Sequence, residues 1–272
     1  MDNRFLFIGG DRRIIYAALS ILHRRSVSAL GLGDTFSLPE GRYGSIVLPL
    51  PFHNGHGGIN APLTEKELSL SLVTDYADKG AFVFSGGISP ALSQLCEEHG
   101  LRLIDYYAEE TLTLKNAALT AESAVAMLIQ ETEFSLSGSR VIITGGGRIA
   151  LLTARLLRCF GSAVTLCARN RQQRTRAALE HHDTADVTSL PALCATADII
   201  INTVPAALFS EDDFRRMKAG TVFMELASKP AQPDSDYAAK YGVRHIMAGG
   251  LPGKMCPKTA GEAIAEVILA KG

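Results

Sequence analysis

The chain has 272 residues, 47% of them apolar and 20% charged, with a formal net charge of −1. That length allows one large domain or two smaller ones with ample core, and the charge balance excludes a global pull toward nucleic acid or an anionic membrane surface. The five cysteines (Cys96, Cys159, Cys167, Cys194, Cys256) form no C-x-x-C pair and no His/Cys cluster with zinc spacing, so they read as reduced thiols and no metal is expected.

The N-terminus runs directly into the apolar segment Arg4–Ile8, which leaves no room for a signal peptide. No apolar run reaches the ~18 residues of a membrane-spanning helix, and a cytoplasmic protein is expected. Strands are then predicted over Val27–Leu30, Ser45–Leu50, Ala81–Phe84 and Leu101–Asp105, with helices near Arg12–Leu22, Glu65–Val73 and Pro90–His99. Alternation of this kind implies a flavodoxin-like parallel sheet of five strands with helices on both faces, over residues 1–115. A connecting helix and linker occupy 116–137, with Ala118, Ala121, Val125, Ala126 and Ile129 near one face. A second α/β domain covers 138–255, and residues 256–272 form a final helix that would pack back on the first domain.

The second domain opens on Arg140-Val-Ile-Ile-Thr-Gly-Gly-Gly-Arg-Ile-Ala150. A β-branched run, a G-x-G-x-x-A turn and a helical pattern through Phe160 follow one another, and Ala163–Leu166 completes a βαβ unit. Each small residue has a physical role in a Rossmann dinucleotide site. Gly145 permits the tight turn, Gly147 lets backbone approach a pyrophosphate, and Ala150 packs helix on strand. Gly146, Arg148 and Ile149 complete the loop at the helix N-terminus, where unpaired N–H groups and the positive dipole end favour phosphate. Gly161 is placed to stop the helix.

The end of the next strand selects the cofactor. An NAD site usually carries Asp or Glu about 20 residues past the first glycine. No carboxylate stands between Gly145 and Arg171, where Arg169, Asn170 and Arg171 follow one another and Arg174 and Arg176 come after. Guanidinium groups suit a 2′-phosphate, so NADP is the expected cofactor.

Further on, strands are predicted over Ala197–Asn202, Thr221–Leu226 and Arg244–Met247, with helices from Ser210 and over Asp234–Tyr241. Ligands in such sheets sit beyond the carboxyl ends of the strands, so the loops there carry the candidate site. Asn202, Thr203 and Pro205 end one strand beside the expected nicotinamide position, and Ala227 and Ser228 end the next. Gly249–Thr259 is the densest turn cluster, with Lys254 and Lys258 as cations for an anionic substrate. In the first domain, Pro51–Gly58 carries His53 and His56, and histidine suits proton transfer near neutral pH. His181-His182 reads as a solvated helix end, and Cys159 and Cys167 fall in apolar patterns that favour core.

The segments Ile8-Gly9-Gly10-Asp11, Phe84–Ser89, Gly145–Ala150, Asn202–Pro205, Leu226–Pro230 and Gly250–Gly261 occur in one order along nearly the whole chain. Together they resemble the dipicolinate synthase A-subunit family. Ala150 stands where that family usually has Gly, and Glu225 and Lys229 stand where it often has Asp and Arg. The resemblance implies an NADP-linked step in spore formation that makes pyridine-2,6-dicarboxylate from a dihydro- or 4-hydroxytetrahydrodipicolinate. It also implies a flavoprotein-like B-subunit of dipicolinate synthase as partner and leaves room for a homo-oligomer. The dicarboxylate substrate then points to Arg12 and Lys258 as its clamp and to His53 or Glu122 as proton acceptor. Rival readings are a D-2-hydroxyacid or shikimate-type dehydrogenase, and a non-catalytic NADP-binding regulatory subunit.

Overall fold

Two parallel sheets organise the computed structural model, which describes residues 4–33, 36–227 and 235–272. The chain divides into two compact units, one made of residues 1–116 with 252–272, the other of 117–251.

The first unit runs β1 (Arg4–Ile8), α1 (Arg12–Leu22), β2 (Ser26–Leu30), β3 (Tyr43–Val47), α2 (Ser71–Tyr76), β4 (Ala77–Ser85), α3 (Pro90–Glu98) and β5 (Arg102–Asp105). Its strands lie in the order β2-β1-β3-β4-β5, all parallel, which is the flavodoxin-like order. Successive side chains of a strand face opposite sides. Phe5 and Phe7 of β1 therefore enter one core with Phe84, Ile14 and Ile21, while Leu6 and Ile8 enter the other with Ile46, Val83 and Leu92. Both faces are covered, which is why these strands read as continuous apolar runs.

A 22-residue helix, α4 (Glu110–Glu131), crosses the division between the units. It starts six residues earlier than its apolar pattern suggested. By length and composition it is the one helix among the described residues that could span a membrane, which amends the expectation of no such segment. Ala124, Val125 and Leu128 lie instead in the core of the second unit.

That unit continues with β6 (Arg140–Thr144), α5 (Arg148–Cys159), β7 (Ala163–Cys167), α6 (Arg171–Leu179), β8 (Asp183–Ala185), α7 (Leu190–Cys194), β9 (Ile199–Asn202), α8 (Glu211–Arg216), β10 (Val222–Glu225), α9 (Ser235–Lys240) and β11 (Arg244–Met247). The order β11-β10-β9-β6-β7-β8 reverses direction on either side of β6, the doubly wound Rossmann arrangement. Val141 and Ile143 face α5 and the apolar stripe of α4. Ile142, Ile200 and Phe223 face the other layer, with Phe214, Met217 and Ala238. Ser210 and Asp213 form both halves of a capping box at α8, Asp213 standing in the Glu position.

Two last helices, α10 (Leu251–Met255) and α11 (Pro257–Lys271), end the chain. The second returns to the first unit, placing Ala263, Ile264, Val267 and Ile268 in the core that holds Phe5, Phe7 and Ile14. Gly261 lets it lie against α1, because a Cβ there would stand 2.3 Å from the Arg13 carbonyl oxygen and 2.7 Å from the Tyr16 Cβ.

Four local expectations are corrected. The helix predicted over Glu65–Val73 begins only at Ser71, since residues 61–70 are turn and bridge backbone, with Ile59 paired to Leu68. The glycine- and proline-rich run 249–259 contains the helical turn of α10 instead of loop alone. Cys159 is exposed at the end of α5, whereas Cys167 is buried and its thiol is pushed up to about 11 by burial. His182 is buried, not solvated; burial first, and the Arg158 charge second, hold its imidazole below the usual histidine range.

The close approach of α11 to α1 gives a stability test. Gly261→Ala should destabilise the protein by about 1–3 kcal/mol through overpacking. Gly249→Ala, where an added Cβ meets nothing within 4 Å, should stay within about 0.5 kcal/mol of the parent in chemical denaturation.

Candidate functional site

The turn after β6 is shaped by what its glycines touch. Gly145 has φ +101°, a conformation L side chains rarely adopt, and a Cβ there would stand 2.5 Å from Thr203 Oγ1. Its N–H donates to the Cys167 carbonyl at 2.8 Å, which ties the turn to the end of β7. A Cβ on Gly146 would meet Gln173 Cβ at 2.6 Å. Both glycines are buried. Gly147 differs: it is exposed, and an added Cβ would meet nothing within 4 Å. Directly beyond it α5 begins, with Gly147 as N-cap and no side chain closing its first amides. Open space in front of first-turn N–H groups that no capping side chain closes, at a 12-residue helix, is the shape and polarity a pyrophosphate needs. Arg148 and Ile149 occupy the first turn, and buried Ala150 packs the helix on the sheet. These residues fit a dinucleotide.

At the end of β7 the basic residues separate into two roles. Arg174 Nη1 donates to the carbonyls of Ala168 (2.6 Å) and Arg169 (2.8 Å) and pairs with Asp186 at 2.6 Å. It is a clamp on the turn. Asn170 caps α6, its side-chain oxygen accepting from the Gln172 and Gln173 amides. Arg169 and Arg171 are exposed, with no side-chain hydrogen bond or ion pair among the described residues. They remain available to an anion.

A buried polar strap joins the ends of β6, β9 and β10. Thr144 Oγ1 donates to Asn202 Oδ1 at 2.6 Å, and Asn202 Nδ2 donates to Glu225 Oε2 at 2.8 Å. The Asn202 amide also grips the next loop, accepting from Val204 N and donating to Val204 O, both at 3.1 Å. Glu225 Oε1 accepts from Ala227 N at 2.9 Å. Thr203 Oγ1 donates to the Thr144 carbonyl at 2.6 Å. Asn202 is fully buried, so it shapes the loop of Thr203, Val204 and exposed Pro205 from beneath and offers a ligand no free group. Ala227 is buried at the end of β10, and Ser228 lies outside the described residues. Glu225 is the functional candidate that pattern reading missed: a carboxylate at a strand end is visible in the sequence, but its burial and partners come from three strands far apart in the chain. Burial pushes its carboxyl up, partly offset by the bonds from Asn202 and Ala227.

In the first unit, the N-termini of α1 and α11 lie at the same end. Gly253 abuts Asp11 and Arg13, while Gly261 abuts Arg13 and Ala17. Since α1 follows β1, this is the carboxyl end of the sheet. Asp11 caps α1 and holds Arg13 through both its oxygens, and Arg13 also donates to the Leu50 carbonyl of the loop after β3. Arg13 is thus buried and structural, while Arg12 beside it is exposed. Lys258 opens α11 with its side chain 72% exposed and Glu262 one turn on at 3.9 Å. His53 is exposed in the loop that Arg13 anchors. Arg12, His53 and Lys258 thus stand on three segments at the carboxyl end of the first sheet. Glu122 is exposed on α4, within the second unit. Among the described residues no three His, Cys, Asp or Glu side chains stand together to hold a metal ion.

Residues 4–107 match the family model of the dipicolinate synthase A-subunit N-terminal domain, and residues 103–232 match that of the NAD binding domain of D-isomer specific 2-hydroxyacid dehydrogenases. The dipicolinate synthase A-subunit of Bacillus subtilis (strain 168) is 28% identical over 234 residues, covering 85% of this chain and 78% of the relative. The crystal structure of the dipicolinate synthase A-subunit from Bacillus halodurans superposes with a TM-score of 0.87 at 26% identity, covering 100% of this chain and 98% of that one. The chain is a relative of the dipicolinate synthase A-subunit. The crystal structure of the Bacillus subtilis protein agrees, with a TM-score of 0.84 at 25% identity over 100% of this chain and 97% of that one. With the dehydrogenase match, the second unit is the nicotinamide-nucleotide domain of an oxidoreductase.

Gly147→Val should leave the fold intact, at a cost of about 1 kcal/mol for the altered N-cap, because nothing in the protein occupies the space. Its branched Cβ should abolish dinucleotide binding. Nucleotide fluorescence titration beside a thermal melt checks this; a folded variant that binds normally overturns the loop assignment.

Proposed function

We propose that this chain is the NADP-linked subunit of a dipicolinate-forming oxidoreductase in spore formation. The observation that carries the reading is the end-to-end likeness to the dipicolinate synthase A-subunit, together with a glycine turn shaped for a dinucleotide. The substrate is a dihydro- or 4-hydroxytetrahydrodipicolinate, and a flavoprotein-like B-subunit is the partner.

NADP is preferred over NAD because Arg169 and Arg171 stand free where an NAD site carries a carboxylate. Arg174, bound to Asp186 and to two carbonyls, holds that turn in shape. A bound nicotinamide supplies hydride transfer; the protein orients the ring and handles the proton. Arg12 and Lys258 clamp the substrate carboxylates. Lys258 stands in the first turn of α11, where the helix dipole disfavours a cation, so an anion in front of it offsets that cost. His53 or Glu122 accepts the proton, both being exposed and open to solvent exchange.

Incubating the purified protein with cofactor and a dihydrodipicolinate, and following nicotinamide absorbance, separates this reading from a non-catalytic subunit. Turnover supports it. Cofactor binding without turnover, with the partner subunit present, overturns it.

Arg169→Asp should swing preference toward NAD by about 1–3 kcal/mol, the scale of a charge-assisted contact. Paired titrations of both cofactors read the swing, and equal affinities in the parent protein contradict the assignment.

Lys258→Ala should weaken dicarboxylate binding about tenfold or more, the loss of one charged hydrogen bond, with NADP affinity nearly unchanged. Calorimetry with dipicolinate itself measures the first and nucleotide titration the second. Loss of nucleotide binding with dicarboxylate binding retained reverses the assignment.

A further inference from the structure

The carboxyl of Glu225 is fully buried and no step above uses it. Two donors reach it from fixed directions, Asn202 Nδ2 at 2.8 Å and the Ala227 amide at 2.9 Å. The Asn202 amide cannot turn over, because its oxygen already faces Val204 N and its nitrogen Val204 O. Position 225 must therefore accept through both oxygens. An ionised carboxylate does so; a side-chain amide in either orientation would set donor against donor. Both partners are neutral, and no Arg, Lys or His among the described residues pairs with Glu225. A buried charge left this way is costly unless something cationic arrives.

The sheet indicates where such a cation would sit. The free arginines mark the end of β7 as the adenosine side, so the nicotinamide half falls across β6, toward β9 and β10. Glu225 ends β10 in register with Asn202, which is in register with Thr144 below the glycine turn. With strands about 4.8 Å apart, the carboxylate would lie within roughly 10 Å of a ring bound over β9, and in a low-dielectric interior that charge would be felt. Oxidised nicotinamide is cationic and the reduced form neutral.

We propose that Glu225 places a negative charge beneath the nicotinamide half of the site and so favours the oxidised cofactor over the reduced one. This rests on the nicotinamide reading above and adds a direction to it: the bound couple is tuned to stay oxidised until substrate delivers hydride.

The test measures dissociation constants of NADP+ and NADPH for the full chain and for Glu225→Gln and Glu225→Asp. The parent should bind NADP+ at least as tightly as NADPH. Glu225→Gln should shift the ratio toward NADPH about tenfold, equivalent to about 30 mV for a two-electron couple. Glu225→Asp, which keeps the charge, should keep the parent's ratio even if both affinities fall. The inference is overturned by a parent that binds NADPH about tenfold tighter than NADP+, or by a Gln variant that weakens both forms equally, which is the mark of a purely structural carboxylate. Should Glu225→Gln not fold, the parent and Asp ratios still decide. A parent that binds neither form removes the nicotinamide reading itself, a distinct result.

Discussion

The contact between Gly145 and Thr203 is the constraint on which the nucleotide unit depends. A Cβ at Gly145 would collide with Thr203 Oγ1, and that hydroxyl is held by the Thr144 carbonyl. The glycine turn and the loop after β9 are thus one packed object. Asn202 extends it to β10 through Glu225, so the loops at three strand ends are registered by hydrogen bonds below the surface. A site on loops alone would lose precision; here the strand ends supply it.

Charge is distributed by the same logic of position. Arg169, Arg171 and Arg174 look equivalent in sequence, yet Asp186 and two backbone carbonyls claim the third and leave the others free. A similar split separates Arg12 from Arg13, where Asp11 and the Leu50 carbonyl take the inner residue. In each case the more buried arginine fixes a turn and an exposed neighbour is left without a partner among the described residues. A guanidinium can be structural or recognitive, and its partners decide which.

Much of this is legible in the residues. Apolar, β-branched runs identify the strands, because a sheet covered on both faces leaves no other composition for them. The G-x-G-x-x-A turn is legible since each position has a local steric reason. The basic stretch after β7 is legible as a cluster but not residue by residue. Helix α2 starts later than its pattern suggests because Glu65–Leu70 carries a helical spacing, while the Ile59–Leu68 pairing, a tertiary contact, holds it as bridge and turn. His182 reads as solvated from its charged neighbours, yet its backbone closes the turn after α6 onto Ala177 and carries the ring inside.

Glu225 marks where sequence reading ends and physical accounting begins. Burial raises its carboxyl above the ordinary carboxylate range, and the bonds from Asn202 and Ala227 offset part of that rise. The ionised form therefore costs stability, and that cost fades as pH falls through the raised value and is gone below the ordinary carboxylate range. Apolar residues of similar size would relieve it, as they often do for buried charges. They would also leave Asn202 Nδ2 and the Ala227 amide without acceptors, and a buried donor left unpaired costs about 1–3 kcal/mol. The carboxylate thus stabilises the loops locally while burdening the fold globally. A side-chain amide cannot meet both donors, so the residue that satisfies these loops brings an ionisable carboxyl into the interior with it.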